Sequence, residues 1–79
     1  MMFQKNKQPL EIVLAKNLKS IRTRRKISRE DLAHHTGTTE KTIIDIEDEV
    51  YTPNLGLLIR IAKALRCSLN DLIPIDEIS

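Results

Sequence analysis

The sequence predicts an all-α domain of five helices, and three observations carry that prediction. Leu10, Val13, Leu14, Leu18 and Ile21 recur at helical spacing, as do Leu55, Leu58, Ile61, Ala62 and Leu65. Helix-start and helix-stop residues separate these stripes: Ser28 with Asp31, Gly37, Thr38 and Thr39, Pro53, Ser68 with Asp71, and Pro74. Between them lies SREDLAHHTGTTEKTIIDIE, which reads as two short helices on either side of Gly37. The 79 residues make one domain. A chain of this size buries roughly 60% of its unfolded surface, enough for one modest core but not for a deep substrate cavity as well.

Taken in order, residues 1–8 are polar and aperiodic and contain Lys5 and Lys7, which predicts a disordered N-terminal arm. A basic arm can also reach into a minor groove. The folded domain is expected over 9–73. Pro9 suits the first turn of a helix because its missing N–H costs nothing there, and the first helix is expected over 9–25. Arg24, Arg25 and Lys26 at its end suit the helix dipole. The second helix is expected over 28–36, with Ser28 as N-cap and Gly37 as the left-handed exit. The third follows over 39–48, with Ile43 and Ile46 turned inward. Residues 50–54 form a loop. The fourth helix begins at Leu55, and a short fifth follows the Ser68–Asp71 cap pair. Residues 74–79 are a C-terminal tail.

Two short helices joined by a glycine-containing turn are the sequence form of a helix-turn-helix. The net charge of +2 says little, but its distribution says more. Lys16, Lys19, Arg22, Arg24, Arg25, Lys26 and Arg29 form a basic run with no acid among them, a candidate phosphate-facing surface. Glu40, Asp45, Glu47, Asp48 and Glu49 form an acidic run broken by Lys41. Cys67 is the single cysteine, so no internal disulfide and no cysteine metal cluster is expected; it reads as a small core residue. His34 and His35 are adjacent and diverge by about 100° on a helix, which disfavours a shared metal ion. No catalytic spacing links them to Cys67, so an enzyme is not expected, nor is a cofactor. There is no long apolar run and no signal-peptide pattern, which predicts a cytoplasmic protein.

Ala33, Gly37 and Ile43 stand where a helix-turn-helix needs a small residue, a left-handed residue and an apolar lock. Together with Arg22, Glu47, Pro53 and LLIRIAKALRCSLNDLI, they resemble the lambda-repressor-like family, also called the Xre or Cro/repressor type. The likeness covers about 14–73. It implies a five-helix DNA-binding domain whose third helix enters the major groove. It also implies base contacts from Thr39, Glu40, Lys41, Ile44 and Asp45, and phosphate contacts from Ser28, Arg29, Thr42 and Arg22. An ion pair between Arg22 and Glu47 would join the first helix to the third. The family often has glycine at the positions of Lys26, Glu49 and Arg66. Non-glycine residues are costly at positive φ, so the loops there are expected to differ.

The function expected is a sequence-specific transcriptional regulator of double-stranded DNA, a dimeric repressor occupying an operator. Leu57, Ile73, Ile75 and Ile78 are surplus to one buried stripe and are the expected homodimer interface. The alternative is a protein-interaction module, antitoxin-like or binding another partner such as a cognate toxin, with weak or no specific DNA binding. The carboxylates of the third helix favour that alternative, since each opposes phosphate unless it meets a base-edge donor.

Overall fold

The computed structural model describes residues 9–77, and every regular element among them is helical. The helices are α1 (Leu10–Arg24), α2 (Arg29–Thr36), α3 (Glu40–Glu47), α4 (Leu55–Leu65) and α5 (Leu69–Leu72), followed by a 3₁₀ turn over Ile75–Glu77. The N-terminal arm and Ile78 lie outside the described residues. Pro9 is not the first helical residue: its ψ of 149° is extended, and its carbonyl accepts from the Ile12 and Val13 amides.

The inward residues of all five helices meet in one core. Leu14, Leu18, Leu32, Ile43, Ile46, Ile61, Leu65 and Leu72 are all fully buried. α3 packs on α1 and α2, α2 packs on α4, and α5 packs on α1 and α4. A four-residue helix such as α5 cannot hold itself together in water. Two devices tether it. Ser68 and Asp71 form a reciprocal capping box, and the Asn17 side-chain amide on α1 donates to the Leu72 carbonyl at 3.0 Å. Asp71's carboxyl is held below its ordinary value by the Ser68 backbone N–H and hydroxyl.

The first four helices end in one shared pattern. A residue with positive φ follows the helix, and the next amide reaches back five positions: Ile27 to Arg22, Thr38 to Ala33, Val50 to Asp45, and Cys67 to Ala62, at 2.8–3.1 Å. This closes otherwise orphaned carbonyls. Gly37 takes that position after α2 with φ of 70°, and a Cβ there would meet nothing within 4 Å, so the backbone angle rather than lack of space is what favours glycine. At the other three ends Lys26, Glu49 and Arg66 adopt φ of 59°, 67° and 57°. The expectation that these loops would depart from the glycine-type exit is therefore corrected. The five-back hydrogen bonds hold the same turn without glycine at all three ends, and at two of them the following residue, Ile27 or Cys67, also packs against the core. Each non-glycine residue carries a steric cost of about 1–2 kcal/mol in that region. Arg66→Gly is accordingly expected to raise stability by about 0.5–1 kcal/mol after the extra chain entropy of glycine is counted. A denaturant midpoint that stays level or falls would show that the Arg66 side chain contributes more than its strain costs.

Candidate nucleic-acid interface

The α2–turn–α3 unit is fixed from both sides. Ser28 caps α2 by accepting from the Asp31 amide at 3.0 Å, and Thr39 caps α3 by accepting from the Thr42 amide at 3.1 Å. Ala33, Ile43 and Ile46 are buried where the two helices meet the core. The Thr36 hydroxyl turns back onto the Leu32 carbonyl, and Arg60 on α4 donates from Nε to the Thr36 carbonyl at 2.9 Å. Arg25 does the equivalent at the end of α4, donating to the carbonyls of Leu65 and Arg66. Its expected role was at the dipole of its own helix; it serves a neighbouring one instead. A sequence signal for either arginine would have required knowing which helix ends lie side by side.

With the inner face locked, α3 presents the remaining residues. Thr39, Glu40 and Lys41 are exposed, while Thr42, Ile44 and Asp45 are half-buried. All five expected base-contacting residues thus have some solvent access on or beside one short helix. Two of them are engaged with each other: Lys41 Nζ lies 3.2 Å from the Asp45 carboxylate, one turn along. The Thr39 and Thr42 hydroxyls are 2.9 Å apart.

Behind this face sits a charged cluster. Glu47 at the end of α3 has a side chain only 1% exposed. Its Oε2 accepts from Arg22 Nε at 2.6 Å, and its Oε1 accepts from Arg22 Nη2 at 3.2 Å. The expected pair is present and joins α1 to α3. Arg22 Nη1 donates in addition to the Ile27 carbonyl. With 9% of its side chain exposed and all three nitrogens engaged, Arg22 is part of the scaffold and has little surface to offer a phosphate. The sequence reading missed a third member: Arg29, the first residue of α2, donates from Nε to Glu47 Oε1 at 2.9 Å. Burial pushes the Glu47 carboxyl up, but hydrogen bonds from Arg22 and Arg29 and their charges outweigh it, so the group lies below its ordinary value. Among the described residues, no buried side-chain nitrogen or oxygen lacks a partner.

The other chemically capable groups gather nowhere. His34 and His35 are exposed with their rings edge to face. Cys67 is half-buried against the core, and burial, then the Asp71 charge, raise its thiol pKa against the opposing Arg25. No set of three His, Cys, Asp or Glu among the described residues could hold a metal ion.

The expected interface residues divide. Leu57 is buried within the domain's own core at 6% exposure, and Ile73 packs half-buried against that core, so both serve the monomer. Ile75 is 80% exposed. Leu55 and Ile59, one turn apart on α4, are also exposed.

A family model described as helix-turn-helix matches residues 18–72, which includes both halves of the motif and the charged cluster. The chain belongs to the lambda-repressor-like helix-turn-helix family. Members of this family are DNA-binding transcriptional regulators rather than enzymes. The chain is 43% identical over 52 residues to an uncharacterized HTH-type transcriptional regulator of Methanothermobacter thermautotrophicus, covering 65% of this chain and 75% of that one. It is 30% identical over 60 residues to another from Archaeoglobus fulgidus, covering 76% and 84%. In fold it resembles the restriction-modification controller protein C.AhdI from Aeromonas hydrophila. That match has a TM-score of 0.76 and 22% identity over 80% of this chain and 96% of that one. No described helix is long and apolar enough to cross a membrane.

Proposed function

We propose that this regulator binds a specific DNA site by laying α3 in the major groove, acting as a two-fold homodimer that represses by occupying an operator. The observation that carries the reading is the division of α3. Its apolar residues Ile43 and Ile46 are buried, while Thr39, Glu40 and Lys41 stand exposed at its start. In this reading Lys41 donates to guanine O6 or N7, Glu40 or Asp45 accepts from cytosine N4, and Ile44 packs on a thymine methyl. Ser28, Arg29 and Thr42 with the α2 amides take phosphate, and Arg22 acts through Glu47 rather than by direct contact.

The Lys41–Asp45 pair does not stand in the way. An exposed pair at this spacing is worth about 0.3–0.5 kcal/mol, whereas a good base contact discriminates by about 1–3 kcal/mol. Base contact wins over the pair. Lys41→Ala is expected to relax preference at one base pair by about 1–3 kcal/mol while leaving the others unchanged. Uniform weakening over all sequences would remove Lys41 from base reading.

A single short recognition helix reads too few base pairs for a unique site, and a two-fold dimer doubles that number with half-sites about 34–36 Å apart. Leu55, Ile59 and Ile75 are among the exposed apolar side chains, and in this reading they meet a partner copy. Removing residues 75–79 is expected to weaken self-association and, through it, operator binding. Sedimentation as a monomer at tens of micromolar, both free and on DNA, would exclude the dimer.

The second reading, a protein-interaction module with a toxin or another partner, is favoured by the carboxylates of Glu40 and Asp45 on the recognition helix. DNA binding that disappears with salt and has no sequence preference would support it.

A further inference from the structure

We infer that Glu47 is a positioning residue for DNA binding, holding Arg29 by Nε so that its two terminal nitrogens form a ready fork for one backbone phosphate. The inference rests on the reading of Arg29 as a phosphate contact. Three observations lead to it. First, Arg22 alone already meets both Glu47 oxygens, at 2.6 and 3.2 Å, so a second arginine is not needed to neutralise the buried carboxylate. Adding Arg29 leaves the cluster with two cations and one anion, an excess of one positive charge. Second, Arg29 reaches Glu47 through Nε alone, and its Nη1 and Nη2 make no hydrogen bond among the described residues. Its side chain is 41% exposed, against 9% for Arg22. Third, Arg29 is the first residue of α2, an eight-residue helix whose N-terminal amides and dipole favour an anion at the same end.

A guanidinium suits this task because its donors are spread over a rigid plane. One edge can stay on Glu47 while the terminal nitrogens meet a phosphate bidentately. A lysine has one nitrogen on a flexible stem and must place that atom between the two anions. An arginine fixed before docking also avoids the entropy of being ordered on docking. Arg22 then has a definite part: it fixes Glu47, which fixes Arg29, so a residue nearly shut off from solvent acts on the DNA backbone through Glu47 and Arg29.

The test measures binding to a short mixed-sequence DNA duplex over a series of salt concentrations for the parent, Arg29→Ala and Arg29→Lys. Arg29→Ala is expected to lower the slope of log affinity against log salt by about one unit. Arg29→Lys is expected to keep the slope, since its charge remains, yet bind roughly three- to tenfold more weakly at every salt concentration. Arg29→Lys binding as tightly as the parent would overturn the positioning role while leaving the phosphate contact standing. An unchanged slope in Arg29→Ala would overturn both. A second readout needs no variant: in the free protein the Arg29 Nε–H is expected to exchange with solvent much more slowly than that of exposed Arg24, as followed by ¹⁵N NMR. Equal exchange would show that Glu47 does not hold Arg29, and would overturn the inference whatever the DNA data.

Discussion

Glu47→Ala is expected to destabilise the domain by about 3–5 kcal/mol, because it leaves a buried cation without its partner. Arg22, 9% exposed at its side chain, would keep only its bond to the Ile27 carbonyl. A domain of this size has about 5–15 kcal/mol in total, and each kcal/mol is worth about 4–8 °C in melting temperature. The variant should therefore melt tens of degrees lower or fail to fold. Acid should act on the same group. Its folded pKa lies below the ordinary value of 4.5, so its contribution is fully present above that value and is lost as pH falls through the lowered folded value. Glu47→Gln, which keeps the shape without the titrating charge, should lose part of the acid sensitivity along with part of the stability. Thermal melts of the three proteins across that pH range check both statements. An unaltered melting temperature in Glu47→Ala would mean that the pair contributes nothing despite its burial.

Ile43→Ala should cost about 2–5 kcal/mol, since Ile43 is fully buried where α3 meets the core and its truncation leaves a cavity. DNA affinity should fall with it, because the recognition helix loses the residue that fixes its pose. The salt slope should not change, as no charge is removed. Ile44→Ala gives the opposite pattern. Half-buried and adjacent, Ile44 should cost well under half as much stability while altering preference at a base pair. Denaturant unfolding paired with binding titrations separates the two. Similar stability losses in both variants would mean that α3 is not divided into a core face and a reading face.

These two contrasts mark how far the sequence could be read. Most caps were legible because they are local: Ser28 with Asp31, Gly37, Thr39 with Thr42, and Ser68 with Asp71 lie within one helical turn of their partners, whereas Asn54, which caps α4 by accepting from the Leu57 amide, was read only as loop. The Arg22–Glu47 pair spans 25 positions and was legible only through family likeness. Arg29 as a third member was not, because nothing in the order of residues says that the start of α2 lies over the end of α3. Leu57 was misjudged for a related reason. One buried stripe accounts for Leu58, Ile61, Ala62 and Leu65, but α4 packs on both α2 and α5 and buries a wider arc that takes in Leu57. At Lys26, Glu49 and Arg66 the residue type argued against a left-handed turn, and the five-back hydrogen bond outweighed the residue type. At Arg29 and Leu57 a contact between elements decided the outcome, and at the three turns a backbone hydrogen bond outweighed the preference of the residue type.

Selection of bound sequences from random DNA at two salt concentrations tests the central claim most directly. A dimer reading through α3 should enrich a two-fold symmetric site, with half-sites about one helical turn apart and G·C pairs opposite Lys41. The same site should survive at the higher salt with reduced affinity. Pools that stay random at the low salt and empty at the high one would contradict sequence-specific recognition by this helix.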